Sequence, residues 1–236
     1  MSTLNLNFYF ALFALLVSIG NGVYFFIRWL NTKRQHLFLL YLSGGLASLV
    51  LFKVPNIIAN AGYQISQQDF YSFFFITLLI YLLGVFSLIH AVRLMNNQGR
   101  ISGRTFFFTL WFVVAIFYLG ANFFIKGLSM AYPLWVAHLI FFIPAGLILL
   151  YELYRLFFAV KRFTMPKTSF MATTLATILL VTTSILYIII LMRPNSDIFW
   201  YVFVVSSTSV SFIQLIIGIL LFFGFRSLAK ARLKTF

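Results

Sequence analysis

Apolar residues run along this chain in long blocks, each closed by a short polar stretch. Seven blocks reach the ~20 residues a helix needs to cross hydrocarbon. They cover residues 7–30, 37–58, 70–94, 105–125, 133–160, 170–192 and 198–225. A chain in hydrocarbon must satisfy its backbone polar groups internally, which long single runs do only as helices. The pattern predicts an all-α integral membrane protein, one domain of seven transmembrane helices over residues 1–236. Residues 226–236 read as a short basic tail that continues the last helix along an anionic membrane surface. The first block is too long for the apolar core of a cleaved leader and lacks its basic start, so it reads as a retained helix.

Composition agrees. Hydrophobic residues make up 63% of the chain and charged residues 8%, against about 25% charged in a soluble domain. The main solvent is a lipid bilayer. The net charge of +14 is no nucleic-acid footprint, because the cations sit in clusters between apolar runs.

Those clusters set a direction. Fourteen Lys and Arg residues fall on one side, including Lys33, Arg34, Arg100, Arg104, Lys161, Arg162 and the tail cations. Only Lys53, Lys126 and Arg193 fall on the other. The positive-inside rule puts the N-terminus outside and the C-terminus in the cytoplasm, in a plasma or inner membrane. Asp69 and Asp197 lie on the outer side. So do Tyr63, Tyr71, Tyr132, Trp135, Trp200 and Tyr201, as an interfacial aromatic belt.

Two segments look alike. Lys53-Val54-Pro55-Asn56 ends the second span, and Met192-Arg193-Pro194-Asn195 ends the sixth. Each precedes an Asp and an aromatic-rich start. The pattern reads either as a 3+1+3 parallel repeat with the fourth span as linker or as similar interface residues met twice.

Depth matching across short hairpins picks out polar groups. Ser18 and Gly22 on span one, with Gly44 and Ser48 on span two, have small-xxx-small spacing for close helix packing. Asn21 beside them is a packing residue or a ligand contact. Glu152, the one glutamate, lies level with Thr177 and Gln214. It reads either as an i,i+3 pair with Arg155 or as part of a polar interior cluster with those two. Ser207, Ser211 and Gln214 share a face of span seven, and Thr183 stands at the matching depth on span six. They are helix–helix glue or the lining of a polar pocket. Asn122 is level with His138, so the two could bond across a hairpin, structurally or as a gate. Pro144 and Gly146 predict a kink in span five.

Several chemistries are disfavoured. The chain has no cysteine, hence no disulfide, thiolate or cysteine metal site. Of three histidines, His90 and His138 differ in depth by roughly 20 Å at 1.5 Å per residue. Paired haem ligation is thus unsupported, and no cofactor or metal is expected. The helix count and direction resemble those of microbial rhodopsins, and length and layout resemble seven-helix sugar facilitators. Yet span seven has no lysine for a retinal Schiff base, and span three lacks a mid-membrane Asn. The leading expectation is a non-enzymatic sensor or binding module for an apolar or aromatic molecule, or for membrane state, signalling through a membrane or cytoplasmic protein partner. The alternatives are an uncoupled facilitator of a small neutral solute and a structural subunit of a larger membrane complex.

Overall fold

The described residues of each apolar block are mainly helical, since a helix closes its own backbone hydrogen bonds whatever surrounds it. A computed structural model describes residues 3–60, 67–96, 103–124, 135–158, 166–191 and 208–233. Among these, every regular element is helical. The elements are α1 (Thr3–Asn31), α2 (Leu37–Ser48), a 3-10 turn (Leu51–Lys53), α3 (Val54–Asn60), α4 (Gln67–Asn96) and α5 (Gly103–Phe124). A π-helical turn (His138–Phe142), α6 (Ile143–Phe158), α7 (Lys167–Leu191) and α8 (Thr208–Leu233) follow. Five described helical stretches are long and apolar enough to cross a membrane, and the apolar stretches Leu37–Ser48 and Thr109–Ala121 are shorter. This is the architecture of a helical membrane protein.

The helices close into a ring. α1 packs on α2, α2 on α4, α4 on α6, α6 on α7, α7 on α8, and α8 returns to α1. α5 stands outside, held to the ring by aromatic contacts. Phe86 of α4 lies 4.3 Å from the Phe112 ring and 5.4 Å from Trp111. Phe141 of the π turn lies 5.7 Å from Tyr118. Apolar side chains such as Leu16, Phe117, Met171 and Phe223 face outward, as a hydrocarbon solvent permits.

Small residues set the helix separations. A Cβ on Gly22 would sit 2.7 Å from the Ala47 Cβ, and one on Gly84 would meet the Ser48 hydroxyl and the Gly45 carbonyl. Hydroxyls then bond across the seams. Ser18 Oγ donates to the Leu46 carbonyl, and Ser43 Oγ donates to the Gly22 carbonyl at 2.8 Å. Ser18, Gly22 and Ser48 are therefore packing residues, as expected. Gly44 is a correction: it is exposed and no side chain or backbone lies near its missing Cβ. The register turns Gly45 inward instead, against Leu88 and Gly84.

Among the described residues, two spans depart from regular α-helical geometry, each beside a proline. The second span was expected unbroken over residues 37–58, but α2 ends at Ser48 and a 3-10 turn precedes α3. Pro55 has no N–H for the Leu51 carbonyl, and the Val54 N–H takes that acceptor in 3-10 register. In the fifth span Pro144 likewise cannot serve the carbonyl four residues back. There the Ile143 N–H bonds to the His138 carbonyl, making the π turn. A π turn thus stands just before Pro144, where the sequence predicts a kink.

Between α1 and α2, Lys33 and Arg34 both adopt left-handed φ, 52° and 63°. α8 runs on to Leu233, so Arg226, Lys230 and Arg232 continue the last helix as expected.

Candidate functional site

Three polar groups lie within the ring, in different layers. The first is at the break in the second span. Lys53 is fully buried, and its Nζ donates to Ser211 Oγ of α8 at 3.1 Å. Ser211, also fully buried, donates to Asn7 Oδ1 of α1 at 2.9 Å. The chain Lys53–Ser211–Asn7 ties three helices together. This corrects the reading of Lys53 as an interfacial cation flanking its span. The 3-10 turn brings it inward, and its Nζ is served by Ser211 because an apolar interior does not solvate a polar group.

The second group is a central cavity next to the same break. Leu49, Val50, Tyr81, Thr183, Gln214 and Gly218 line it, with Leu180 and Ile217 as apolar wall. About 10 Å³ is open to the centre of a water molecule. Gln214 is one helical turn beyond Ser211 on the buried face of α8. Its Oε1 is buried and accepts no hydrogen bond among the described residues. Thr183 Oγ1 donates to its own helix, at 3.0 Å from the Leu179 carbonyl and 2.8 Å from that of Leu180. Asn21 of α1 donates to the Gly218 carbonyl at 3.0 Å. That bond assigns Asn21 to packing.

An aromatic wall backs this cavity. The Tyr81 ring stacks 5.5 Å from Phe142 of the π turn. His138, also in the turn and buried, lies 4.8 Å from Phe142 and 5.3 Å from Tyr187. The expected His138 partner, Asn122, has a side chain outside the described residues.

The third group is at the far end of α4. Arg93 Nε donates to Glu152 Oε1 at 2.9 Å. Asn96 Nδ2 donates to the Glu152 carbonyl at 3.0 Å and to its Oε2 at 3.2 Å. Arg155 stands farther off, at 3.7 Å from Oε2. Of the two readings of Glu152, the Arg155 pair is present but secondary. The cluster with Thr177 and Gln214 is not formed: no hydrogen bond joins them among the described residues. Thr177 donates to the Thr173 carbonyl of its own helix at 2.8 Å, and Gln214 belongs to the cavity.

The structure thus brings Ser211, Gln214 and Thr183 into neighbouring interior positions, whereas Ser207 and the Met192–Asn195 repeat segment lie outside the described residues. Lys53 and Arg93 escaped the sequence reading. For Lys53 the available signal was Pro55 two residues later, which marks a break that can turn a flanking cation inward. Among the described residues, no three His, Asp or Glu side chains converge as metal ligands. Compared with family models, curated proteins and solved structures, the chain matches none.

Proposed function

We propose that this chain is a seven-span, non-enzymatic sensing module with its C-terminus in the cytoplasm of a plasma or inner membrane. It responds to an apolar or aromatic molecule, or to the state of the bilayer, and passes a helix shift to a separate protein partner. One observation carries the reading: a single buried side chain, Tyr81, shares a cavity with one irregular joint of the bundle and stacks on the other. It lines the cavity beside Leu49 and Val50 at the break of the second span. It also stacks on Phe142 of the π turn in the fifth. Such interruptions of a regular helix frequently mark hinges or functional sites.

α4 then links the hinge to a readout. Tyr81 and Arg93 are on the same helix, about 18 Å apart along its axis at 1.5 Å per residue. A displacement at Tyr81 moves Arg93 against Glu152, whose helix α6 carries the π turn at its start. Two irregular joints and one ion pair form a two-state element that a ligand or bilayer thickness can bias through its differing affinity for the two states.

The chain lacks cysteine, so one label can be placed cleanly. Tyr154→Cys is at an exposed position near Glu152. With a bimane label there, the full chain in nanodiscs is expected to shift its emission when acyl length changes or when indole is added. An emission unmoved by either overturns the sensing reading. Accessibility of a tag after Phe236 from outside intact cells would overturn the direction.

A second reading has its own support. The cavity carries Thr183 and Gln214, and the resemblance of residues 53–56 to residues 192–195 suits a 3+1+3 facilitator. Glycerol uptake by proteoliposomes that is lost in Gln214→Leu would put a facilitator of small neutral solutes in place of the sensor. A stoichiometric co-purifying membrane protein, with neither response present, would favour a subunit role.

A further inference from the structure

We propose that the central cavity is a binding site for one neutral hydrogen-bond donor of water's size, a resident water that bridges α7 and α8 beside the break in the second span. Its size fits: about 10 Å³ is open to a water centre, at the lower edge of the ~10–15 Å³ that one water occupies. Its polarity fits as well. Gln214 is 8% exposed, lines the cavity, and has an acceptor oxygen with no donor among the described residues. A buried acceptor left unserved costs free energy comparable to a lost hydrogen bond. Thr183 commits its proton to the Leu179 and Leu180 carbonyls, so its oxygen has lone pairs to offer.

Acceptors on two sides select a donor. An anion is disfavoured, since among the described residues no cationic side chain lines the cavity and Thr183 has no proton to spare. A cation is disfavoured too, because no carboxylate among them lines the cavity to balance it. An apolar occupant would leave Gln214 Oε1 unserved. A water donating to Gln214 Oε1 and Thr183 Oγ1 meets these conditions together. The site stands whether or not the chain acts as a sensor.

Hydroxyl-radical labelling in ¹⁸O water tests it on the full chain in nanodiscs. Tyr81 is 8% exposed, so its labelling requires a local water. The expected result is ¹⁸O incorporation at Tyr81 that falls several-fold in Thr183→Val, which keeps the side-chain shape while removing the acceptor. The same fall is expected in Gln214→Leu, with labelling at the equally buried Tyr187 unchanged in both variants. Absence of Tyr81 labelling in the unaltered chain, or equal labelling in the chain and a folded Thr183→Val variant, overturns the proposal. Should Gln214→Leu fail to fold, the Thr183→Val comparison alone decides.

Discussion

Arg93 and Glu152 are 59 residues apart in sequence and are joined at 2.9 Å, across a gap in the chain that holds all of α5. The Glu152 side chain is 4% exposed and that of Arg93 13%. Removing one partner of such a buried pair leaves the other uncompensated, at a cost of roughly 3–5 kcal/mol. Arg93→Gln is therefore expected to lower the midpoint of thermal unfolding strongly. The double variant Arg93→Met with Glu152→Leu should recover most of the loss, because a packed apolar pair is often no less stable than a buried ionic one. Equal losses in single and double variants would show that the pair does not hold α4 to α6. Arg155→Gln provides the contrast. At 36% exposure and 3.7 Å it is expected to cost less than about 1 kcal/mol.

The α2–α4 seam depends on the absence of a side chain at Gly84. A Cβ there would crowd Ser48 Oγ and lie 3.1 Å from the Gly45 carbonyl. Gly84→Leu should force the helices apart and destabilise by about 1–3 kcal/mol, as overpacking does. Gly44→Ala, one residue from Gly45 but facing open space, should be neutral or slightly stabilising through better helix propensity. Unfolding by heat in one detergent compares the two, and similar losses in both would refute the assigned register.

Lys53 fills interior space as well as bonding to Ser211. Lys53→Met keeps most of that volume, and Lys53→Ala leaves a hole. Large-to-small changes at buried sites cost about 2–5 kcal/mol. Alanine should thus lower the unfolding midpoint more than methionine does. Identical midpoints would mean that Lys53 is not enclosed.

The turn after α1 places Lys33 in the left-handed region, where a side chain costs about 1–2 kcal/mol. Lys33→Gly relieves that cost but loosens the unfolded chain, so a net gain below about 1 kcal/mol is expected. A clear loss of thermal stability would indicate that the Lys33 side chain itself holds the turn.

Much of the bundle is legible in the sequence, and the reason is local. The seven apolar blocks predict helices because hydrocarbon-like surroundings leave the backbone little choice. The inward faces of Ser18, Gly22, Ser211 and Gln214 follow from helical spacing within one segment. Depth matching between consecutive helices also worked for the first hairpin, where Ser43 reaches Gly22 and Ser18 reaches Leu46.

Closure of the ring was not readable. Hairpin reasoning compares only neighbours in sequence, whereas α4 skips α5 to meet α6, and α8 returns to α1. Arg93 with Glu152 and Ser211 with Asn7 arise from those two joins. The register of α2 was likewise invisible, since Gly44 and Gly45 differ only by 100° of helix rotation. The burial of Lys53 required the 3-10 turn that Pro55 sets up, which turns an edge cation into the interior. Sequence determined which segments are helical and which faces are small or polar. Tertiary structure decided which faces meet, because packing between elements distant in the chain depends on shape and closure rather than on order along it.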